Sequence, residues 1–113
     1  MQLPEIQNDQ DFQKEIAGSS GYAVLLLYFS TCPECQAALR TIEADENRFF
    51  SRVKIAKMEV SDKKTRPDWV GDLRSVPAFV IFQDGREVKR LAGKGDETAL
   101  SRFKDWIVEV INA

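Results

Sequence analysis

The sequence predicts an α/β fold in which helices cover a mixed β-sheet. Three observations lead to this class: strand-like and helix-like segments alternate, one strand-like segment is apolar throughout, and a hairpin signal follows near the carboxyl end. Strands separated by helices are expected to run parallel, and the hairpin adds an antiparallel edge to the same sheet. The expected product is a small α/β sandwich.

The first two elements are a short helix and a buried strand. The helix is expected over residues 9–17, because Phe12 and Ile16 lie four positions apart and Gly18 can end it. The segment YAVLLLYF, residues 22–29, is apolar throughout, which is typical of a strand buried on both faces. This strand is therefore predicted to lie in the middle of the sheet.

A second helix and a second strand follow. The helix is expected over residues 33–49 and begins with a proline, which suits its first turn. The strand is expected over residues 53–60, with Val53 and Lys57 on the same face. A further short strand is expected near residues 3–6.

The clearest local signal is a hairpin over residues 77–93. Its two strands meet at Asp84-Gly85, a dipeptide suited to a tight hairpin turn. A short helix starting near Pro67 precedes the hairpin, and an amphipathic helix from Asp96 onward closes the chain.

Composition sets the broad class of the protein. The chain has 113 residues, 43% of them apolar, a size and composition that suit one globular domain. Its net charge of -2 provides no field that would attract nucleic acid or an anionic membrane. The longest apolar run is far shorter than the roughly 20 residues that span a bilayer, and the start carries no secretory signal pattern. We therefore expect a cytoplasmic protein.

Both cysteines of the chain, Cys32 and Cys35, stand where the apolar strand gives way to the second helix. At this spacing they share a helix face, and their α-carbons are expected roughly 5 to 6 Å apart, which suits a disulfide. The pair fits thiol–disulfide exchange, which needs an attacking thiolate and a neighbouring resolving thiol. Inert buried cysteines and a metal site are the alternatives. Because the chain has no histidine or third cysteine, a metal site would need a second chain, and exchange chemistry is favoured.

The helix start predicts different roles for the two thiols. Free N–H groups and the positive end of the helix dipole favour a thiolate on Cys32, whereas Cys35 is expected to be more buried. Cys32 is therefore predicted as the nucleophile and Cys35 as the resolving thiol. Pro33 fixes the first helical residue and has no N–H to offer the sulfur. The Glu34 carboxylate opposes the thiolate by about as much as the helix end favours it.

Taken together, these segments resemble the thioredoxin family. The resemblance rests on VLLLYFSTCPEC, on VPAFVIFQDGREV and on Gly93, and it covers nearly the whole chain. It implies a three-layer α/β/α sandwich with a mixed central sheet and a C-terminal antiparallel hairpin, formed by residues 1–113 as a single domain. It also implies that Pro77 is cis and stands beside the cysteines, and that Val76 offers backbone groups to an extended substrate.

The resemblance further implies an activity and its partners. The activity is reduction or exchange of protein disulfides through the Cys32 and Cys35 dithiol, with no metal and no cofactor beyond this redox-active pair. The implied partners are protein disulfide substrates and a thioredoxin reductase as electron donor.

Three features of the sequence depart from the family pattern. Thr31 stands where a tryptophan is usual, and Pro33-Glu34 replaces the usual Gly-Pro between the cysteines. Leu26 occupies the place of a buried aspartate that is assigned to proton transfer at the resolving cysteine, whereas its lysine partner is matched by Lys57. Proton removal from the resolving thiol is then left to water, to Lys57 or to the carboxylate of the motif. In the simpler interpretation, Lys57 only extends its ammonium to water.

Two other functions stay open at this point. The first is a binding or assembly-chaperone module of the same fold, whose cysteines are vestigial or act as a redox sensor. The second is a glutathione-dependent, glutaredoxin-like enzyme, which the proline at the second motif position and the segment SVP favour. The leading helix and the long hairpin match thioredoxin better.

Overall fold

The computed structural model describes residues 3–18, 20–44, 53–71, 73, 75–92 and 97–112. The regular elements, in chain order, are α1 (Asp9–Phe12, continued by a π-helical turn Gln13–Ala17), β1 (Tyr22–Tyr28), α2 (Pro33–Ala44), β2 (Lys54–Glu59), a 3₁₀ turn (Asp68–Val70), β3 (Ala78–Gln83), β4 (Arg86–Ala92) and α3 (Glu97–Asn112). Each predicted helix and strand has a counterpart except the short strand near residues 3–6. The expected continuation of α2 to residue 49 lies outside the described residues.

The strands form one four-stranded mixed sheet in the order β2-β1-β3-β4. β1 pairs with β2 in parallel and with β3 antiparallel, so the apolar strand is central, as predicted. At the hairpin turn, Asp84 and Gly85 both have positive φ, 52° and 84°, the backbone form that a tight two-residue turn requires. The backbone N–H and side chain of Asp84 also bond Gly21, which ties the turn to the start of β1.

The direction of β3 corrects the sequence prediction. Strands separated by helices were expected to be parallel, yet β3 runs antiparallel to β1 and therefore also to β2. A parallel crossover needs a connection long enough to return along the sheet, usually through a helix. Among the described residues of this connection, 60–71, 73 and 75–77, the one regular element is a 3₁₀ turn, and the Arg66 guanidinium bonds the carbonyl oxygens of Val60 and Gly71. The chain consequently stays at the carboxyl end of β2 and enters β3 from there.

The amino-terminal segment is less regular than predicted. Only Glu5 forms a β-bridge, to Lys57 of β2, in place of a strand over residues 3–6. The Asn8 side chain caps α1 by accepting from the Asp11 N–H, and the helix ends at Gly18.

Side chains on the two faces of β1 enter two separate apolar layers. One layer contains Val24, Leu26 and Tyr28 with residues of α2 and α3, and the other contains Ala23, Leu25 and Leu27 with Ile16 and Val70 from the opposite side. In the first layer, Phe79 of β3 stacks on Phe103 of α3 with ring centroids 4.2 Å apart. The sheet is thus covered on both faces, which confirms the α/β sandwich.

Candidate active site

The cysteines lie at the junction of β1 and α2. The Cys32 N–H donates to the Phe29 carbonyl at 3.1 Å, and the Cys32 carbonyl accepts from the Gln36 N–H at 3.1 Å. Cys32 therefore sits at the helix start with its thiol half-buried, whereas Cys35 is 0% exposed and belongs to the core under α2. This difference matches the predicted division between an accessible and a buried thiol.

Cys32 and Cys35 are both free thiols, and the two residues are in direct contact. The Cys35 N–H donates to Cys32 Sγ at 3.2 Å, and Cys32 Sγ donates to Glu34 Oε2 at 3.5 Å. Burial and a hydrogen bond to Cys32 raise the pKa of Cys35 to about 12, against a lowering backbone hydrogen bond from Phe29. The negative charges of Cys32 and Glu34 raise it further. Near neutral pH, Cys35 is accordingly held as a thiol.

The loop before Cys32 is fixed by Glu59, a residue that the sequence reasoning missed. Its carboxylate accepts hydrogen bonds from the backbone N–H groups of Ser30 and Ser61, and the Ser30 carbonyl accepts from Gln36 Nε2 at 3.2 Å. Burial raises the pKa of Glu59, but these hydrogen bonds outweigh burial and lower it to about 2. Glu59 carries no local sequence signal for this role, because Ser30 lies 29 positions away along the chain.

Val76 and Pro77 reach the same edge of the sheet as the cysteines. The peptide bond between them is cis. β3 begins directly after Pro77, and its first residue, Ala78, pairs with Leu27 near the carboxyl end of β1. Val76 and Cys32 both pack against the core layer beneath α2.

The remaining predicted site residues are placed as follows. Thr31, Pro33 and Glu34 are exposed around the cysteines. Gly93 lies outside the described residues.

Leu26 and Lys57 are register partners on β1 and β2, deeper along the strands than the cysteines. Leu26 is 0% exposed and Lys57 is half-buried. Within the described part of the chain, the Lys57 ammonium has no hydrogen-bond or ion-pair partner. Glu5, which bridges to Lys57, carries an acidic side chain in this region. Its Oε1 accepts a hydrogen bond from the Tyr28 hydroxyl, and its buried Oε2 has no partner among the described residues. Burial and then the Glu5 carboxylate raise the pKa of Tyr28.

The described residues also bear on two other functions, metal binding and membrane spanning. Among them, no group of three or more His, Cys, Asp or Glu side chains could hold a metal ion. None of the helices in the described ranges is long and apolar enough to cross a membrane.

Comparison with known proteins places this geometry in a family. The thioredoxin family model matches residues 4–105. The chain belongs to the thioredoxin family. The Haemophilus influenzae thioredoxin is 28% identical over 96 residues, which cover 85% of this chain and 89% of that protein. Thioredoxin C-2 of Corynebacterium nephridii is 26% identical over 98 residues, which cover 86% of this chain and 89% of that protein.

Solved structures show the same fold. The Fasciola hepatica thioredoxin superposes with a TM-score of 0.76 at 23% identity, over 96% of this chain and 99% of that one. The Malassezia sympodialis thioredoxin superposes with a TM-score of 0.75 at 19% identity, over 97% and 94% of the two chains. The thioredoxin relatives and the adjacent Cys32 and Cys35 make the chain a thiol-disulfide oxidoreductase.

Proposed function

We propose that the chain reduces or exchanges protein disulfides by a two-step reaction in which Cys32 attacks and Cys35 resolves. The observation that carries this proposal is the pair of unlike thiols in contact: Cys32 Sγ is half-buried and accepts the Cys35 N–H at 3.2 Å, while Cys35 has no exposed surface. A substrate sulfur can reach the first thiol from solvent and cannot reach the second.

The chemistry follows from this arrangement. The Cys32 thiolate attacks a substrate disulfide, forming a mixed disulfide and releasing one substrate thiol. Cys35 then attacks Cys32 Sγ, which closes the protein disulfide and releases the second substrate thiol. The hydrogen bond from the Cys35 N–H to Cys32 Sγ supports negative charge on that sulfur when it attacks the substrate disulfide.

The surrounding residues support the reaction in this proposal. Val76 offers backbone groups to an extended substrate and Pro77 holds that segment beside the cysteines, while Thr31 and Pro33 form exposed surface next to the attacking sulfur. Lys57 contributes positive charge below the site.

The proposal extends to partners and compartment. The substrates are protein disulfides, the electron donor is a thioredoxin reductase, and the dithiol is the only redox group. The proposed working form is a cytoplasmic monomer. The role of Gly93 in the site stays a prediction.

A binding module of the same fold is the second candidate, because Leu26 replaces the buried acid and Thr31 replaces the tryptophan of the family pattern. Insulin reduction by dithiothreitol, and by a thioredoxin reductase with NADPH, separates the two functions. An oxidoreductase accelerates both reactions, and Cys32→Ser abolishes the acceleration. Cys35→Ser should instead accumulate a mixed disulfide with insulin that mass spectrometry detects. Equal rates with wild type and Cys32→Ser would favour the binding module.

A further inference from the structure

The resolving step leaves one proton without an obvious acceptor. Cys35 must lose its proton as it attacks Cys32 Sγ, yet its residue is 0% exposed and belongs to a core cluster that includes the aliphatic Leu26. Access of bulk water to this thiol is therefore restricted, and a side chain at the sulfurs is the more effective acceptor.

We propose that Glu34 is the catalytic base that takes the proton of Cys35 during resolution and returns it to the departing substrate thiolate. This inference rests on the proposed function, because it concerns the second step of that reaction. It assigns to an exposed motif residue the proton transfer that Leu26 cannot perform.

The geometry of the dithiol supports this assignment. Glu34 Oε2 lies 3.5 Å from Cys32 Sγ, and Cys35 contacts the same sulfur through its backbone N–H, at 3.2 Å, and through a hydrogen bond between the two thiols. The carboxylate therefore touches the sulfur that Cys35 attacks. In the dithiol, Oε2 accepts a hydrogen bond from the Cys32 thiol. In the mixed disulfide, Cys32 Sγ carries no proton, so Oε2 loses this donor and is free to accept another.

The position of Glu34 also suits the return of the proton. The substrate sulfur departs from Cys32 Sγ, the atom that Oε2 contacts. A proton collected from Cys35 is thus held within reach of the thiolate that needs it.

The other titratable groups on this side of the sheet are less well placed. Lys57 belongs to β2, Tyr28 to β1 and Glu5 to the amino-terminal segment, with one Glu5 oxygen bound to the Tyr28 hydroxyl. The Glu59 carboxylate accepts the N–H groups of Ser30 and Ser61. None of these four side chains shares a hydrogen bond with either sulfur in the described structure. The groups that influence the charge state of Cys35 are Cys32 and Glu34, together with the Phe29 backbone.

The step balances in atoms and electrons. The sulfur–sulfur bond between Cys32 and the substrate breaks, and a bond between Cys35 and Cys32 forms. The substrate sulfur takes the electron pair of the broken bond. The Cys35 proton passes to the Glu34 carboxylate and then to the substrate thiolate, so the carboxylate is regenerated and the protein dithiol has reduced one disulfide.

The test separates the two steps of the reaction. The reduced protein is mixed with a disulfide-bonded peptide, quenched with acid, and analysed by mass spectrometry for the mixed disulfide between pH 6 and 9. In Glu34→Gln we expect the mixed disulfide to decay about tenfold more slowly at pH 6.5, a modest effect for a base that competes with water. Its decay rate should rise about tenfold per pH unit and converge with that of wild type at high pH.

Controls distinguish the proposal from a general disturbance. Formation of the mixed disulfide, measured in a Cys35→Ser background, should not be slowed by Glu34→Gln, because removal of the carboxylate favours the attacking thiolate. Glu43→Gln, on the same helix but remote from the cysteines, should leave both steps unchanged. Glu34→Asp should recover part of the lost rate.

Two results would overturn the assignment while leaving the proposed function intact. They are decay in Glu34→Gln that equals wild type at every pH, and an equal slowing of both steps. Failure of the Cys35→Ser protein, which cannot resolve, to form any mixed disulfide would instead overturn the proposed function, and the assignment with it.

Discussion

Removal of the Glu59 charge should weaken the attachment of the loop that carries Cys32. In Glu59→Gln, the amide oxygen can accept one of the two N–H groups, from Ser30 and Ser61, that the carboxylate accepts now. The fall of the Glu59 pKa from its ordinary 4.5 to about 2 corresponds to about 3 kcal/mol of stabilisation. Because the side chain is partly exposed, solvent screening reduces the expected loss to about 1–2 kcal/mol.

The pH dependence of this loss has a definite sign. A carboxylate whose pKa is lowered on folding contributes its full stability above the unfolded pKa and loses it as the pH falls through the folded one. Urea unfolding followed by circular dichroism should therefore show the full difference between wild type and Glu59→Gln at pH 7 and less than half of it at pH 3.

A matched control isolates the hydrogen bonds. Glu109→Gln removes an exposed carboxylate from α3 and should change the free energy of unfolding by less than about 0.5 kcal/mol at either pH. If Glu59→Gln lowered the free energy of unfolding by the same amount at pH 7 and at pH 3, the reasoning would be refuted. Such a result would show that packing of the side chain, and not its charge, stabilises the loop.

Three further changes test other parts of the molecule. Iodoacetamide at pH 7 should label Cys32 alone in the folded dithiol, since Cys35 is buried and burial contributes to raising its pKa to about 12. Peptide mapping that finds both cysteines labelled at similar rates would contradict this expectation. Leu26→Asp should lower the free energy of unfolding by about 2–5 kcal/mol. The loss should be larger at pH 8 than at pH 5, because a buried carboxylate must ionise at the higher pH, and the charge of Lys57 should recover only part of it. Gly85→Ala, at φ 84° and with its new methyl 2.5 Å from a backbone oxygen, should cost at least about 2 kcal/mol in the same assay; an unchanged midpoint would count against the strained turn.

Much of the fold could be predicted because its signals are local. The Asp84-Gly85 turn, the apolar strand before Cys32 and the alternation around Lys57 each depend on neighbouring residues, and each is present as expected. The direction of β3 was not predictable in this way, because it depends on the path of the whole connection between β2 and β3 and on its pairing with β1, which is distant in the sequence.

The site divides along the same line. The spacing of Cys32 and Cys35 at a helix start predicted their contact, and burial of the second followed from the helix face. The role of the Glu59 carboxylate could not be assigned, since one of its two partners, Ser30, lies in the loop that follows β1. The contact of Glu34 with the attacking sulfur depends on a side-chain rotamer, which spacing alone does not determine.

The central position of β1 has a consequence for how the protein opens. Its backbone is hydrogen-bonded on both sides, to β2 and to β3, and its residues from Ala23 to Tyr28 are buried. Amide protons in such a strand exchange with solvent only through the largest opening events, whereas edge segments exchange through small ones. Because Cys32 follows β1 by only a few residues, fraying of β4 or of the amino-terminal bridge can occur many times without displacing the attacking sulfur. A disulfide-linked substrate that pulls on Cys32 would likewise be resisted by a buried strand that is hydrogen-bonded on both sides.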